Sequence, residues 1–163
     1  ALELLHLSQS ARIINISSIA GRTSSPTISI YNASKWAVEG FSEALLFELK
    51  PFNIDVILVE PGQYKTKIFT DNLILAKDSN NQKSKYETFS RRAFTKLKSK
   101  LETVLKDPAD VARLCHKLVH KKNPRFRYLI GFDARIRLTI RQLLPFELYK
   151  HLVHFICARV LFK

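Results

Sequence analysis

The sequence predicts an α/β fold on a parallel sheet, and three observations carry that prediction. Residues 12–17 and 54–60 are short runs rich in Ile and Val, bounded by polar or turn-forming residues, which marks two buried strands. Between them, Trp36, Ala37, Phe41, Ala44, Leu45 and Leu49 recur at spacings of three and four, the period of a helix. Two apolar strands joined by one helix make a right-handed crossover and therefore lie parallel.

The elements follow in order. The opening Ala1-Leu-Glu-Leu-Leu-His-Leu-Ser reads as the end of a helix, with more chain expected before it. Residues 12–17 form the first strand, and residues 18–29, rich in Ser, Thr, Gly and Pro, form a loop. The helix over 31–50 stops at Pro51. The second strand closes on Pro61-Gly62. A polar segment over 63–106 follows, with a turn at 78–82 and a basic helix over 91–105. Asp107-Pro108 has the form of an N-cap and first helical position for a helix through Val111, Leu114, Cys115, Leu118 and Val119. Residues 128–131 make a short third strand, and 134–163 form amphipathic helices broken near Pro145. In parallel α/β sheets ligands sit beyond the carboxyl ends of strands, where Ser17-Ser18 and Pro61-Gly62 both fall.

Composition bounds the class. A chain of 163 residues with 46% hydrophobic and 25% charged residues suits one globular domain. Two cysteines make no disulfide framework and fit a reducing compartment, so a cytoplasmic location is expected. The sequence opens on no basic-then-apolar leader pattern. The formal charge of +13 is the unusual property. The basic residues are spread over helices and loops without a nucleic-acid-binding motif, so no nucleic-acid partner is expected. Acidic residues in a preceding half are expected to offset the excess.

Tyr31 and Lys35 are four apart on one helix and share a face. A tyrosine phenol has an ordinary pKa of about 10, and an ammonium within ~4–6 Å favours its phenolate. Such a pair suits proton transfer at an alcohol or carbonyl oxygen. Tyr and Lys at this spacing are common on solvated helices, so context must carry the reading.

That context resembles the short-chain dehydrogenase/reductase family. Tyr31-Asn-Ala-Ser-Lys35 fits its Tyr-x-x-x-Lys motif, and Asn15-Ile-Ser-Ser18 closes a strand as its Asn-x-Ser-Ser segment does. Ser18 precedes Tyr31 by 13 residues (31 − 18), matching the family's Ser-to-Tyr spacing. Pro61-Gly62 followed by Thr66 is similar to its Pro-Gly-x-x-x-Thr segment. The segments Asp107-Pro-Ala-Asp-Val-Ala and Arg125-Phe-Arg-Tyr-Leu-Ile-Gly look like the family's next helix and last strand, nearest its steroid and retinol dehydrogenases.

The resemblance implies the C-terminal half of a doubly wound Rossmann-type sheet with flanking helices, one partial domain over 1–163. It implies a reversible alcohol–carbonyl interconversion using NAD or NADP. Tyr31 would be the general acid/base, Lys35 would assist it and hydrogen-bond the nicotinamide ribose, and Ser18 would hold the substrate oxygen. Pro61, Gly62, the backbone at Tyr64, and Thr66 would line the nicotinamide end, and 63–106 would cover the substrate. Asn15 reads as structural, and Ser17 as a strand-end serine that satisfies local backbone. An apolar alcohol or carbonyl substrate and a homo-oligomer formed through the Tyr-bearing helix are implied for the full-length protein. Glycines stand only at 21, 40, 62 and 131, too few for a phosphate-binding loop. That loop and the family's catalytic Asn are therefore expected before Ala1, and this chain alone is expected to be inactive.

Two other readings concern residues outside that set. His116 and His120 are four apart beside Cys115, and His151 and His154 three apart, but neither set reaches the three or four ligands of a zinc site, so no metal is expected. Arg135, Arg137, Arg141, Lys150 and Arg159 alternate with Leu, Ile and Phe, as in a basic helix lying on an anionic membrane. Peripheral membrane contact, or a non-catalytic binding module, is the alternative. A helix packing its apolar side on the domain is the preferred reading. No run reaches the ~20 apolar residues of a span.

Overall fold

The structure, a computed structural model, describes residues 2–8, 10–69, 84, 86–103 and 106–161. The chain divides into two compact units, residues 1–62 with 109–139, and residues 63–108 with 140–163.

The first unit holds the sheet. Strands β1 (Ala11–Ile16), β2 (Ile54–Pro61) and β3 (Arg127–Ile130) are hydrogen-bonded in that order, and both pairings are parallel. The register sets Ala11 against Ile54 and Ile16 against Val59, so the ends of β1 and β2 lie side by side. Ile57, Leu58 and Val59 have no exposed surface, which is why this run contains nothing polar before Glu60. Full burial of each such side chain stabilises the fold by about 1.5–3 kcal/mol.

Helix α1 (Leu2–His6) precedes β1, and helix α2 (Ser29–Leu49) joins β1 to β2. One core cluster on the sheet gathers Ala11, Leu49, Ile54 and Val56, with Leu45 and Leu46 packed on it from α2. The other joins Ile57, Val59 and Leu118, with Val111, Leu114 and Cys115 added from α4 (Ala109–His120). Leu118, Val111, Leu114 and Cys115 are the helical stripe read from the sequence. Arg12 Nη1 donates to the carbonyls of Leu118 at 2.7 Å and Val119 at 2.6 Å, tying β1 to the last turn of α4. After α2 a short 3₁₀ turn over Lys50–Phe52 ends at Asn53, whose φ of 57° is the left-handed turn that releases the chain into β2.

The second unit contains α3 (Glu87–Thr103), packed on α6 (Phe146–Leu161). Helix α5 (Phe132–Leu143) leads to it. The interruption expected near Pro145 separates α5 from α6. Bounds differ from the sequence reading by one to four residues: β3 starts at Arg127, α3 at Glu87 and α4 one residue after Pro108. Helix termini fray, and such shifts are ordinary. The turn read at 78–82 lies outside the described residues.

Candidate active site

The site begins where β1 ends. The amide of Ser17 donates to the carbonyl of Val59 at 2.8 Å, the last link between β1 and β2. The chain then leaves the sheet, and Ser18, buried and extended (φ −168°, ψ 160°), caps the 3₁₀ turn Ile19–Gly21. Its Oγ accepts from the Ala20 amide at 3.2 Å and donates to the Pro61 carbonyl at 3.5 Å. One hydroxyl thus joins the carboxyl ends of two parallel strands.

The turn is pressed against α2. A Cβ on Gly21 would lie 2.9 Å from the Lys35 carbonyl, 2.9 Å from Ser17 Oγ and 2.8 Å from Glu39 Cγ, so only glycine fits. This close approach sets the Ser18 turn beside the turn of α2 that bears Lys35. Lys35 Nζ donates to the Ile16 carbonyl at 3.1 Å and stands 5.8 Å from the centre of the Tyr31 ring. Burial lowers the Lys35 pKa from its ordinary 10.5. Asn32, next to Tyr31, is buried and donates from Nδ2 to the Ser25 carbonyl at 2.8 Å, fixing the start of α2 to the loop.

Ser18, Pro61 and Gly62 therefore cluster at the strand ends, with Tyr31 and Lys35 on the adjoining helix. Gly62 is held by its amide to the Ile130 carbonyl at 2.8 Å, and a Cβ there would collide with the Asp133 carboxylate. Tyr64 and Thr66 belong to the second unit. There Tyr64 is buried in a parallel bridge with Lys106, whose Nζ stands 6.0 Å from the ring centre, while Thr66 is exposed.

Two expectations about polar residues met different outcomes. Asn15 is structural: its Nδ2 donates to Ser42 Oγ at 2.8 Å. Ser17 needs correction. Its amide serves the backbone, but its buried Oγ has no partner, because Gly21 and α2 close over it.

A charged network behind the site escaped the sequence reading. Glu60, 1% exposed at the end of β2, meets Arg22 at 3.1 Å and Arg127 at 3.3 Å. Arg127 also reaches Glu39 at 3.3 Å and Glu43 at 2.7 Å on α2. Burial, and secondarily the neighbouring Glu39 charge, push the Glu60 pKa above its usual 4.5, while Arg22 and Arg127 oppose the rise. From α5, Arg137 donates to Thr23 Oγ1 and Ser25 Oγ, both at 2.9 Å. The loop after Ser18 is thus held from β2 and from α5, while Arg127 of β3 braces Glu60 and α2 beside it. The available signal was Glu60 itself, a carboxylate ending a run otherwise too apolar for one.

A surface cavity of about 500 Å³ lies along Trp36, Gly40, Glu43 and Phe47 of α2, with Arg22 and Arg127. Ser18, Tyr31 and Lys35 do not line it. His116 and His120 rings meet edge to face at 5.4 Å, and among the described residues no three His, Cys, Asp or Glu side chains group as metal ligands.

The short chain dehydrogenase family profile matches residues 1–73. The oxidoreductase YusZ of Bacillus subtilis is 37% identical over 144 residues, covering 88% of this chain and 51% of that protein. A 3-ketodihydrosphingosine reductase of Bacteroides thetaiotaomicron is 38% identical over 130 residues, covering 80% and 47%. The crystal structure of a short chain dehydrogenase/reductase from Burkholderia phymatum, in complex with NAD, superposes with a TM-score of 0.67 at 25% identity, over 85% of this chain and 49% of that one. The fold is an α/β Rossmann-type fold. The chain belongs to the short-chain dehydrogenase/reductase family, and it spans about half the length of the curated relatives it matches.

Proposed function

We propose that the full-length protein is an NAD(P)-dependent oxidoreductase that interconverts an alcohol and a carbonyl, with Tyr31 as general acid/base. The observation that carries this reading is one helix holding Lys35 within 5.8 Å of the Tyr31 ring, beside a buried Ser18 at the carboxyl end of β1. The residues present suit the nicotinamide end of such a cofactor. An ammonium has three N–H donors, and the Ile16 carbonyl takes one from Lys35, leaving donors suited to ribose hydroxyls. The cofactor, when bound, supplies the hydride chemistry, and the protein supplies orientation and electrostatics.

In carbonyl reduction Tyr31 donates its phenolic proton to the substrate oxygen, and in alcohol oxidation it accepts that proton. Lys35 holds its cation on the same face of the helix, 5.8 Å from the centre of the Tyr31 ring. Ser18 donates a hydrogen bond to the reacting oxygen and fixes its direction. Pro61 and Gly62 border the nicotinamide end. An apolar substrate is supported by a relative named 3-ketodihydrosphingosine reductase. NAD is supported by the Burkholderia neighbour, and NADP is the alternative. Residues 1–163 alone lack the glycine-rich loop and are inactive in this reading.

Replacing Tyr31 by Phe in the full-length protein tests the assignment, with nicotinamide absorbance followed over long-chain alcohols and ketones. Loss of a positioned acid/base should lower kcat by roughly 10²–10⁴-fold. Turnover within a few-fold of wild type would remove Tyr31 from the mechanism.

A further inference from the structure

The unit formed by residues 63–108 and 140–163 combines an excess of positive charge with exposed apolar side chains. It carries 15 of the 27 Lys and Arg residues but 6 of the 14 Asp and Glu, which is +9 of the net +13. Its helix α6 departs from the pattern of a helix packed on its own domain. Tyr149, Leu152, Val153, Cys157 and Ala158 are partly buried, yet Leu148 (57% exposed), Phe155 (53%) and Ile156 (50%) face outward, as do Phe146 and the preceding Leu143. The apolar side that the sequence reading packed on the domain is only half packed.

Cations lie among these side chains. The Arg159 guanidinium stands 4.3 Å from the Phe155 ring centre, and Arg141 stands 5.3 Å from both Phe146 and Tyr149. Lys150 is exposed on the same helix and pairs with Glu147, the only acid between residues 140 and 163. Helix α3, packed on α6, exposes Arg91, Arg92 and Lys96. Cations interleaved with large apolar groups match a surface whose outer layer is anionic and whose next layer is hydrocarbon. A protein partner covering this face would have to bury Lys150 and Arg159 away from water. Nucleic acid, bound through phosphate contacts, has no use for exposed Leu148 and Ile156.

We infer that α6 and the residues leading into it form a peripheral docking surface for anionic phospholipid. Leu148, Phe155 and Ile156 enter the headgroup–acyl boundary, and Lys150, Arg141 and Arg159 engage the headgroups. No described helix is long and apolar enough to cross a membrane, so the contact is with one leaflet. The inference does not depend on the catalytic reading.

Co-sedimentation of the full-length protein with vesicles tests it, using phosphatidylcholine alone or phosphatidylcholine with about one-third phosphatidylserine. The expected result is binding to the mixed vesicles that fades as salt is raised. Lys150→Gln with Arg159→Gln should weaken it by about fivefold per charge. Leu148→Ser with Phe155→Ser should weaken it about tenfold or more while leaving the salt dependence in place. All four positions are exposed, and circular dichroism matching wild type verifies that the variants fold. Equal absence of binding to both vesicles would overturn the inference. So would binding untouched by both double variants, or retention by duplex DNA with none by the mixed vesicles.

Discussion

Gly21 shows how one residue sets the distance on which the site depends. Its missing side chain lets the Ser18 turn lie on α2, within contact of the Lys35 carbonyl and Ser17. Gly21→Ala should cost about 1–3 kcal/mol in urea denaturation, the range for an added carbon in a closed space, because a backbone carbonyl on one side cannot give way. Glu60 offers a second residue-level test. Its pKa is raised in the folded protein, so the folded state holds that proton more firmly than the unfolded chain does. The associated stability is present below the ordinary 4.5 and is lost as pH rises through the raised value. Glu60→Gln stays neutral throughout. The stability of the variant minus that of wild type should therefore grow between about pH 4 and about pH 8, measured by denaturant unfolding. A difference that shrinks over that interval would contradict the assigned direction.

At the scale of elements, much was legible and the reasons are physical. Strands β1 and β2 are β-branched apolar runs bounded by polar or turn residues, although only β2 is largely buried and β1 is partly exposed, and α2 announces itself by period and by Pro51. Ser18, Tyr31 and Lys35 could be read because their spacing fell on predicted elements, while the helical spacing alone was weak. The charged lattice could not be read. Arg127 reaches Glu39 across 88 positions of sequence, and local pattern carries no record of such a pairing. The orphaned Ser17 hydroxyl was equally hidden, since it follows from how tightly the Gly21 turn closes. Helix α2 also leaves Ile30, Phe41 and Phe47 more than 60% exposed, apolar surface open to the self-association that the family resemblance implies for the full-length protein. If this surface joins two copies, Phe41→Glu with Phe47→Glu should lower the mass seen by light scattering to that of a monomer. An unchanged mass would place any interface elsewhere.

For the whole molecule, the order of the sheet is what brings the strand ends together. Among the described residues β1 has a neighbour on one side only, and Ile16 at its end is 52% exposed. The chain sets Ser18 and Pro61-Gly62 at two neighbouring strand ends with Tyr31 and Lys35 on the adjoining helix, and relatives of about twice its length match over this region. In the proposed function Ser18 and Tyr31 act on one substrate oxygen as a unit. Residues that act as a unit give non-additive losses, whereas independent ones multiply. The most direct measurement is kcat for the full-length protein carrying Ser18→Ala, Tyr31→Phe, or both. The expected result is a double variant no slower than the worse single variant by more than about threefold. Losses that multiply, or a Tyr31→Phe protein as fast as wild type, would contradict it.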